Sequence, residues 1–217
     1  AKTMADGSTM FLVERDRPGF TIGRVHDKMG ERLANNAELV FQDCFIPDEN
    51  VVGLVDKSSN VFAEFLAQSN AYAGASVLGV AVALHNKAVE WAKLRVQGGK
   101  LLVEHDGIRA QLAEMRMLID ASRSYIHRAC WLADHKEQGW DRTLGALPKV
   151  MASQAAWKIA TWCLEIHGGY GYMKETGVEK LVRDAAGFLH SDGVNRTLFL
   201  TAANAMFGLL PNPGKRE

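Results

Sequence analysis

Between Pro47 and Pro148 the chain carries no proline, and from about Asn60 onward that interval reads as helix. Phe62, Phe65, Leu66 and Tyr72, then Val77, Val80, Leu84, Ala88 and Trp91, recur at steps of three and four, the period of a helix with one buried face. The pattern predicts a first helix over 60–95 and a break at Gly98-Gly99. A second follows over 103–136, with Ile108, Leu112, Met115, Ile119 and Ile126 on one face. A third is predicted over 142–167, with Pro148 tolerated near its first turn, and shorter ones over 176–188 and 193–209. Long helices joined by short links pack antiparallel, as a bundle.

The first 55 residues follow a different rule. Met10-Phe11-Leu12-Val13, Phe20 to Val25 and Glu38 to Gln42 are short, rich in β-formers and separated by Gly, Pro, Asp and Asn. Three or four such strands bury little by themselves, so either they pack on the helices or part of their sheet lies outside this chain; the abrupt start at Ala1 favours the second reading. The expected fold is mainly α: a partial β-sheet segment over 1–55, an antiparallel four-helix-type bundle over 56–210 and a polar, proline-containing tail over 211–217.

Charge and cysteine content narrow the function. Twenty-five basic and 25 acidic residues cancel, and the bases are scattered, so the basic stripe of a nucleic-acid-binding surface is missing. Cys44, Cys130 and Cys163 are far apart and share no metal-ligand spacing, which argues against a zinc site or a disulfide framework and for a reducing, intracellular setting. No run of about 18 apolar residues is present to span a membrane.

Few residues announce chemistry by spacing alone. His167-Gly168-Gly169-Tyr170-Gly171 reads as a helix end followed by a turn that lets backbone come close to a neighbour. It lacks the preceding strand and following helix of a dinucleotide fingerprint. Arg183-Asp184 reads as an exposed charge pair of little energetic value.

Taken in collinear order, longer stretches say more. Gly99 to His105, Leu112-Ala113-Glu114-Met115, Ile166 to Tyr172 and Val178 to Ala185 resemble the C-terminal domain of acyl-CoA dehydrogenases. Lys28 to Arg32, Val40-Phe41 and Ile46 to Gly53 resemble the end of the same family's middle β domain. The resemblance runs from about Met10 to Phe207. It implies an FAD-dependent α,β-dehydrogenation of an acyl-CoA thioester, with an electron-transfer flavoprotein or similar acceptor. It also implies a homo- or hetero-oligomer, dimer or tetramer, in the bacterial cytoplasm or the mitochondrial matrix.

Carried over position by position, the resemblance puts Asp192 of Asp192-Gly193 where the family has its Glu-Gly base, a carboxylate shorter by one methylene. Asp192 also reads as a candidate N-cap of the last helix. Arg95 matches the arginine that contacts the flavin nucleotide's phosphates from a neighbouring subunit. Gly168 and Gly169 match the loop against its ADP part, and His105 matches as well. Gln97, Glu165, Val194 and Arg196 fall, like these, on cofactor-binding positions, where together with Asp106 they replace the family's neutral polar residues. Asp106 and Glu165 add acid beside a diphosphate. Ser69, Asn70 and Gly193 fall on the substrate side, with no second carboxylate near Ser69 to act as a rival base. The family's leading helical domain and the first half of its β domain have no counterpart in this sequence. Two readings follow: an acyl-CoA dehydrogenase portion or subunit that completes its site with further polypeptide, and a non-catalytic structural subunit with weakened FAD binding.

Overall fold

The computed structural model describes residues 7–209, so the 211–217 tail lies outside the described residues. Contacts divide the chain into two units that meet at Leu66 and Ala67. The first holds two separate antiparallel strand pairs instead of the single sheet expected. β1 (Met10–Phe11) pairs with β4 (Val51–Val52), and β2 (Phe20–Val25) pairs with β3 (Ala37–Phe41). Phe20 stacks on Phe41 across the β2–β3 ladder at 5.0 Å between ring centroids. Such pairs bury little, and Ile22, Leu39, Val40 and Phe41 remain exposed. Beside them an apolar cleft of about 1170 Å³ is lined by Met10, Phe11, Phe41, Phe45, Ile46 and Phe62 among others.

The helix α1 (Ser58–Leu94) begins in the first unit and runs on into the second. It ends in a tight hairpin, β5 (Val96–Gln97) and β6 (Lys100–Leu101), whose two loop residues Gly98 and Gly99 both take positive φ, +62° and +82°. Two consecutive left-handed residues are what a two-residue hairpin turn needs, so the glycine pair forms a strand reversal here. The next helix, α2 (Asp106–Asp134), starts three residues later than its periodicity predicts. Leu102–Glu104 form a separate 3-10 turn, in which the Glu104 carboxylate accepts from the Leu101 backbone N–H at 2.7 Å.

The helix α3 (Arg142–His167) spans the predicted range. Asp141 caps it, with Oδ1 accepting from the N–H groups of Thr143 (2.7 Å) and Leu144 (3.3 Å). Pro148 lies in its second turn, not its first, and deprives the Leu144 carbonyl of its helical donor. The helices α4 (Val178–Gly187) and α5 (Asn195–Met206) complete the unit, and α3 touches α2, α4 and α5. The core is built from Val77, Leu84 and Ala88 of α1, Met115, Ile119 and Ile126 of α2, and Ile159, Ala160 and Cys163 of α3. Along α1 and α3 the backbones come close. A Cβ on Gly145 would lie 2.1 Å from the Ala67 carbonyl oxygen, and one on Gly74 would lie 3.3 Å from Lys149 Cα.

Candidate functional site

At the end of α1 and the end of α3, side chains gather around the glycine-rich turn. Trp91 stacks on His167 at 5.1 Å between ring centroids and lies 5.2 Å from the ring of Tyr170. The two rings bracket Gly168 and Gly169, which open a 3-10 turn, Gly168–Tyr172. Gly168 has φ +57° and ψ −139°, a conformation that an L side chain resists, so glycine is required at this helix exit. His167 is buried and donates from Nδ1 to the Cys163 carbonyl at 2.8 Å; burial holds its pKa below the ordinary value. The Cys163 thiol donates to the Leu84 carbonyl at 3.2 Å, and burial pushes its pKa up to about 12.

Arg95 follows Trp91 by one helical turn, is exposed and makes no ion pair among the described residues. His105 donates from Nε2 to the Gln97 carbonyl at 3.0 Å, tying the hairpin to the start of α2. Arg95, Gln97 and His105 therefore form one group. The Trp91–His167 stack sets it beside Glu165, Gly168 and Gly169.

Asp192 and Gly193 sit elsewhere, in the turn between α4 and α5. Both have positive φ, +51° and +94°, and both are exposed. The last helix begins at Asn195 with Val194 in the cap position and no side-chain capping bond, so Asp192 is not its N-cap. Two left-handed residues in succession turn the chain before the helix can start. Arg196, in the first turn of α5, is exposed, as is Val194.

Beneath this turn lies a lysine that helical patterning does not single out. Lys149 is fully buried on α3 and donates to the Gly193 carbonyl at 2.7 Å and to Asn195 Oδ1 at 3.0 Å. Asn195 in turn donates to Ser153 Oγ at 2.9 Å. A lone lysine between Ala146, Val150 and Ala156 is the only sequence signal for this, and solvated lysines on helix faces are far commoner.

The candidates thus fall into two groups. From Lys149 to His167, α3 spans about 27 Å at 1.5 Å per residue, so the Asp192 turn and the Gly168 loop lie at opposite ends of one helix. Asn70 is buried on the stretch of α1 that lies along residues 145–149, with Ser69 half-buried beside it. They therefore share the Asp192 end of α3. The Asn70 side-chain oxygen Oδ1 is buried without a hydrogen bond among the described residues. Arg183-Asp184 is not the exposed pair its sequence suggests, because Asp184 is buried. Arg183 bonds Glu179 at 2.7 Å, while Asp184 is buried and takes Lys180 at 2.5 Å.

Residues 59–207 match the family model of the acyl-CoA dehydrogenase C-terminal domain. The chain belongs to the acyl-CoA dehydrogenase family. A short-chain specific acyl-CoA dehydrogenase of Megasphaera elsdenii is 36% identical over 201 residues, which are 92% of this chain and 52% of that protein. The structure of butyryl-CoA dehydrogenase from the same organism superposes with a TM-score of 0.88 at 35% identity, covering 93% of this chain and 52% of that one. A chain in the structure of the electron transferring flavoprotein of Acidaminococcus fermentans gives 0.86 at 30% identity, covering 91% and 52%. The chain spans about half the length of the curated relatives it matches.

Acyl-CoA dehydrogenases are flavoproteins, and the Gly168 end of the bundle offers open backbone, an exposed cation and a buried donor without an acceptor among the described residues. A Cβ on Gly99, Gly168 or Gly169 would meet nothing within 4 Å, so this surface is open to close approach. Arg95 supplies a cation, and the Trp91 indole N–H is buried without an acceptor among the described residues. Asp106 is offset by its ion pair with Arg109, which leaves Glu165 as the acid facing the loop surroundings. Among the described residues no cluster of three His, Cys, Asp or Glu could hold a metal, and no helix is long and apolar enough to cross a membrane.

Proposed function

We propose that this chain is the C-terminal portion or subunit of an FAD-dependent acyl-CoA dehydrogenase. Residues 1–55 would belong to the middle β domain and 56–210 to the helical domain. The observation that carries the proposal is the exposed carboxylate of Asp192 on a turn of two left-handed residues, in a chain of this family. Asp192 takes the α proton of the acyl thioester; Ser69, Asn70 and Gly193 line the substrate side. Arg95, with Gln97 and His105, and the Gly168-Gly169 loop bind the diphosphate end of the nucleotide, while Val194 and Arg196 stand near the base. When bound, FAD supplies the acceptor for the β hydrogen as hydride.

The rise of about 27 Å along α3 from Lys149 to His167 supports a site shared between subunits, each chain offering its Arg95 end to one nucleotide and its Asp192 end to another. A dimer or tetramer, homo- or hetero-oligomeric, meets that requirement. Its electrons would pass to an electron-transfer flavoprotein or similar acceptor, in the bacterial cytoplasm or the mitochondrial matrix.

Glu165 favours a second reading. It is exposed three residues before Gly168 and pairs with no cation among the described residues, which weakens an anion site. On that reading the chain is a non-catalytic structural subunit of a mixed oligomer. Absorbance in the flavin bands separates the two. A protein that stays colourless with added FAD, alone and with the polypeptide that completes its site, defeats the catalytic reading. If the protein is yellow, Asp192→Asn should keep the colour and lose bleaching by acyl-CoA; bleaching that survives places the base elsewhere.

A further inference from the structure

We infer that Lys149 is a positioning residue for the Asp192 carboxylate, acting through the backbone of Gly193. This rests on the reading of Asp192 as the base. A lysine with no exposed surface gives up hydration of its ammonium and must be compensated by acceptors. Two of them, the Gly193 carbonyl and Asn195 Oδ1, lie at 2.7 and 3.0 Å, on either side of the step where the turn becomes helix. Ser153, one turn along α3, lies against the same amide, 2.9 Å from Asn195 Nδ2 and 3.2 Å from Oδ1, while the donor-only ammonium requires that the oxygen face it.

The geometry explains why a turn of this kind needs such a hold. Asp192 at φ +51° is in a region an aspartate occupies against its own preference, and Gly193 at φ +94° is free to relax in either direction. Loss of the bond to the Gly193 carbonyl would free this end of the turn from α3, and the left-handed residues that carry the carboxylate could then shift with it. The bond from the buried ammonium fixes that carbonyl. On the other side of the turn Leu198 leaves little room, since a Cβ added to Gly193 would come within 3.0 Å of its Cδ2. The turn is held between α3 below and the first turn of α5 above. The backbone that carries Lys149 is close-packed against α1, since a Cβ on Gly74 would lie 3.3 Å from the Lys149 Cα. A proton transfer loses on the order of a hundredfold in rate when the base is misplaced by about 1 Å, so a fixed carbonyl matters to chemistry more than to folding.

The test compares Lys149→Met, Asn195→Ala, Ser153→Ala and Asp192→Asn in the full chain, and in its assembled enzyme. Amide hydrogen exchange read by mass spectrometry should quicken at least tenfold over 189–196 in Lys149→Met and less in Ser153→Ala, with the rest of α3 and the Gly168 loop unchanged. Turnover in Lys149→Met should fall on the order of a hundredfold at unchanged KM. Should Lys149→Met not fold, Asn195→Ala carries the same two readouts. Unchanged exchange over 189–196 in either variant, or exchange that rises equally along all helices, overturns the inference, as does full turnover with a loosened turn. If Asp192→Asn keeps full turnover, the assignment of the base fails separately, and the exchange data still decide whether Lys149 holds the turn.

Discussion

Two glycines of the bundle should respond to the same substitution with opposite signs. In a helix interior, alanine is favoured over glycine by about 1 kcal/mol, so Gly→Ala stabilises wherever there is room. Gly79 is exposed on α1 and an added Cβ meets nothing within 4 Å. Gly79→Ala should therefore gain about 0.5–1 kcal/mol, which raises Tm by roughly 1–4 °C for a chain of this size. On α3, Gly145 presents the contrary case. Its Cβ would stand 2.1 Å from the Ala67 carbonyl oxygen, against the 3.4 Å at which ordinary contact begins, a shortfall of 1.3 Å. The obstacle is backbone, so the two helices must separate. Overpacking of this kind costs about 3 kcal/mol, and after the propensity gain roughly 2 kcal/mol of destabilisation remains. Tm should drop by about 4–8 °C. Calorimetry on the two variants, with urea midpoints as a second measure, reads both signs. A Gly145→Ala protein as stable as the unsubstituted one would refute the close crossing of α1 and α3 at this point.

Two further predictions concern the buried pair at the end of α3. Burial lowers the His167 pKa below its ordinary value of about 6.5, so the unfolded chain binds the extra proton first; stability is complete above that value and is lost as pH falls through the folded pKa. Urea midpoints should fall below about pH 6.5, and His167→Phe, which keeps a ring against Trp91, should flatten that slope. The Cys163 thiol, pushed to about 12 and bonded to Leu84, should resist iodoacetamide in the folded protein while Cys44 and Cys130, both half-buried, are alkylated first. Mass spectrometry of the labelled peptides reports the order, and early alkylation of Cys163 would contradict its packing.

The long elements were legible because each is written in its own residues. Three- and four-residue apolar steps delimited α1 and α2, and the third helix matched its predicted span, where Asp141 and Gly168 stop it at each end. Boundaries slipped where a side chain closes a local ring that periodicity does not register, as Glu104 does before α2. The last helix was read two residues early because Gly193 and Val194 continue an apolar pattern that the left-handed Asp192 and Gly193 interrupt. β1, β2 and β3 were read as strands, but β4 (Val51–Val52) and the β5–β6 hairpin were not, and neither was any partnering, since two-residue segments carry no mark of which neighbour they join. Within the site, a run such as Gly168-Gly169 shows where backbone is open, but nothing in it tells that Asp192 stands at the other end of the same helix. The role of Lys149 was hidden for a similar reason. Its acceptors lie more than forty positions away, at Gly193 and Asn195, and only the folded chain brings them together.

The helix between the two groups acts as a gauge bar. Adding one residue inside α3 would lengthen it by 1.5 Å and also turn one end against the other by about 100°. The Lys149 ammonium would then miss its carbonyl, or the His167 ring would leave Trp91, and no single compensating substitution restores both. An insertion or deletion within 149–167 would therefore break one contact or the other, whereas one in the 135–141 link would leave both ends of the bar in place.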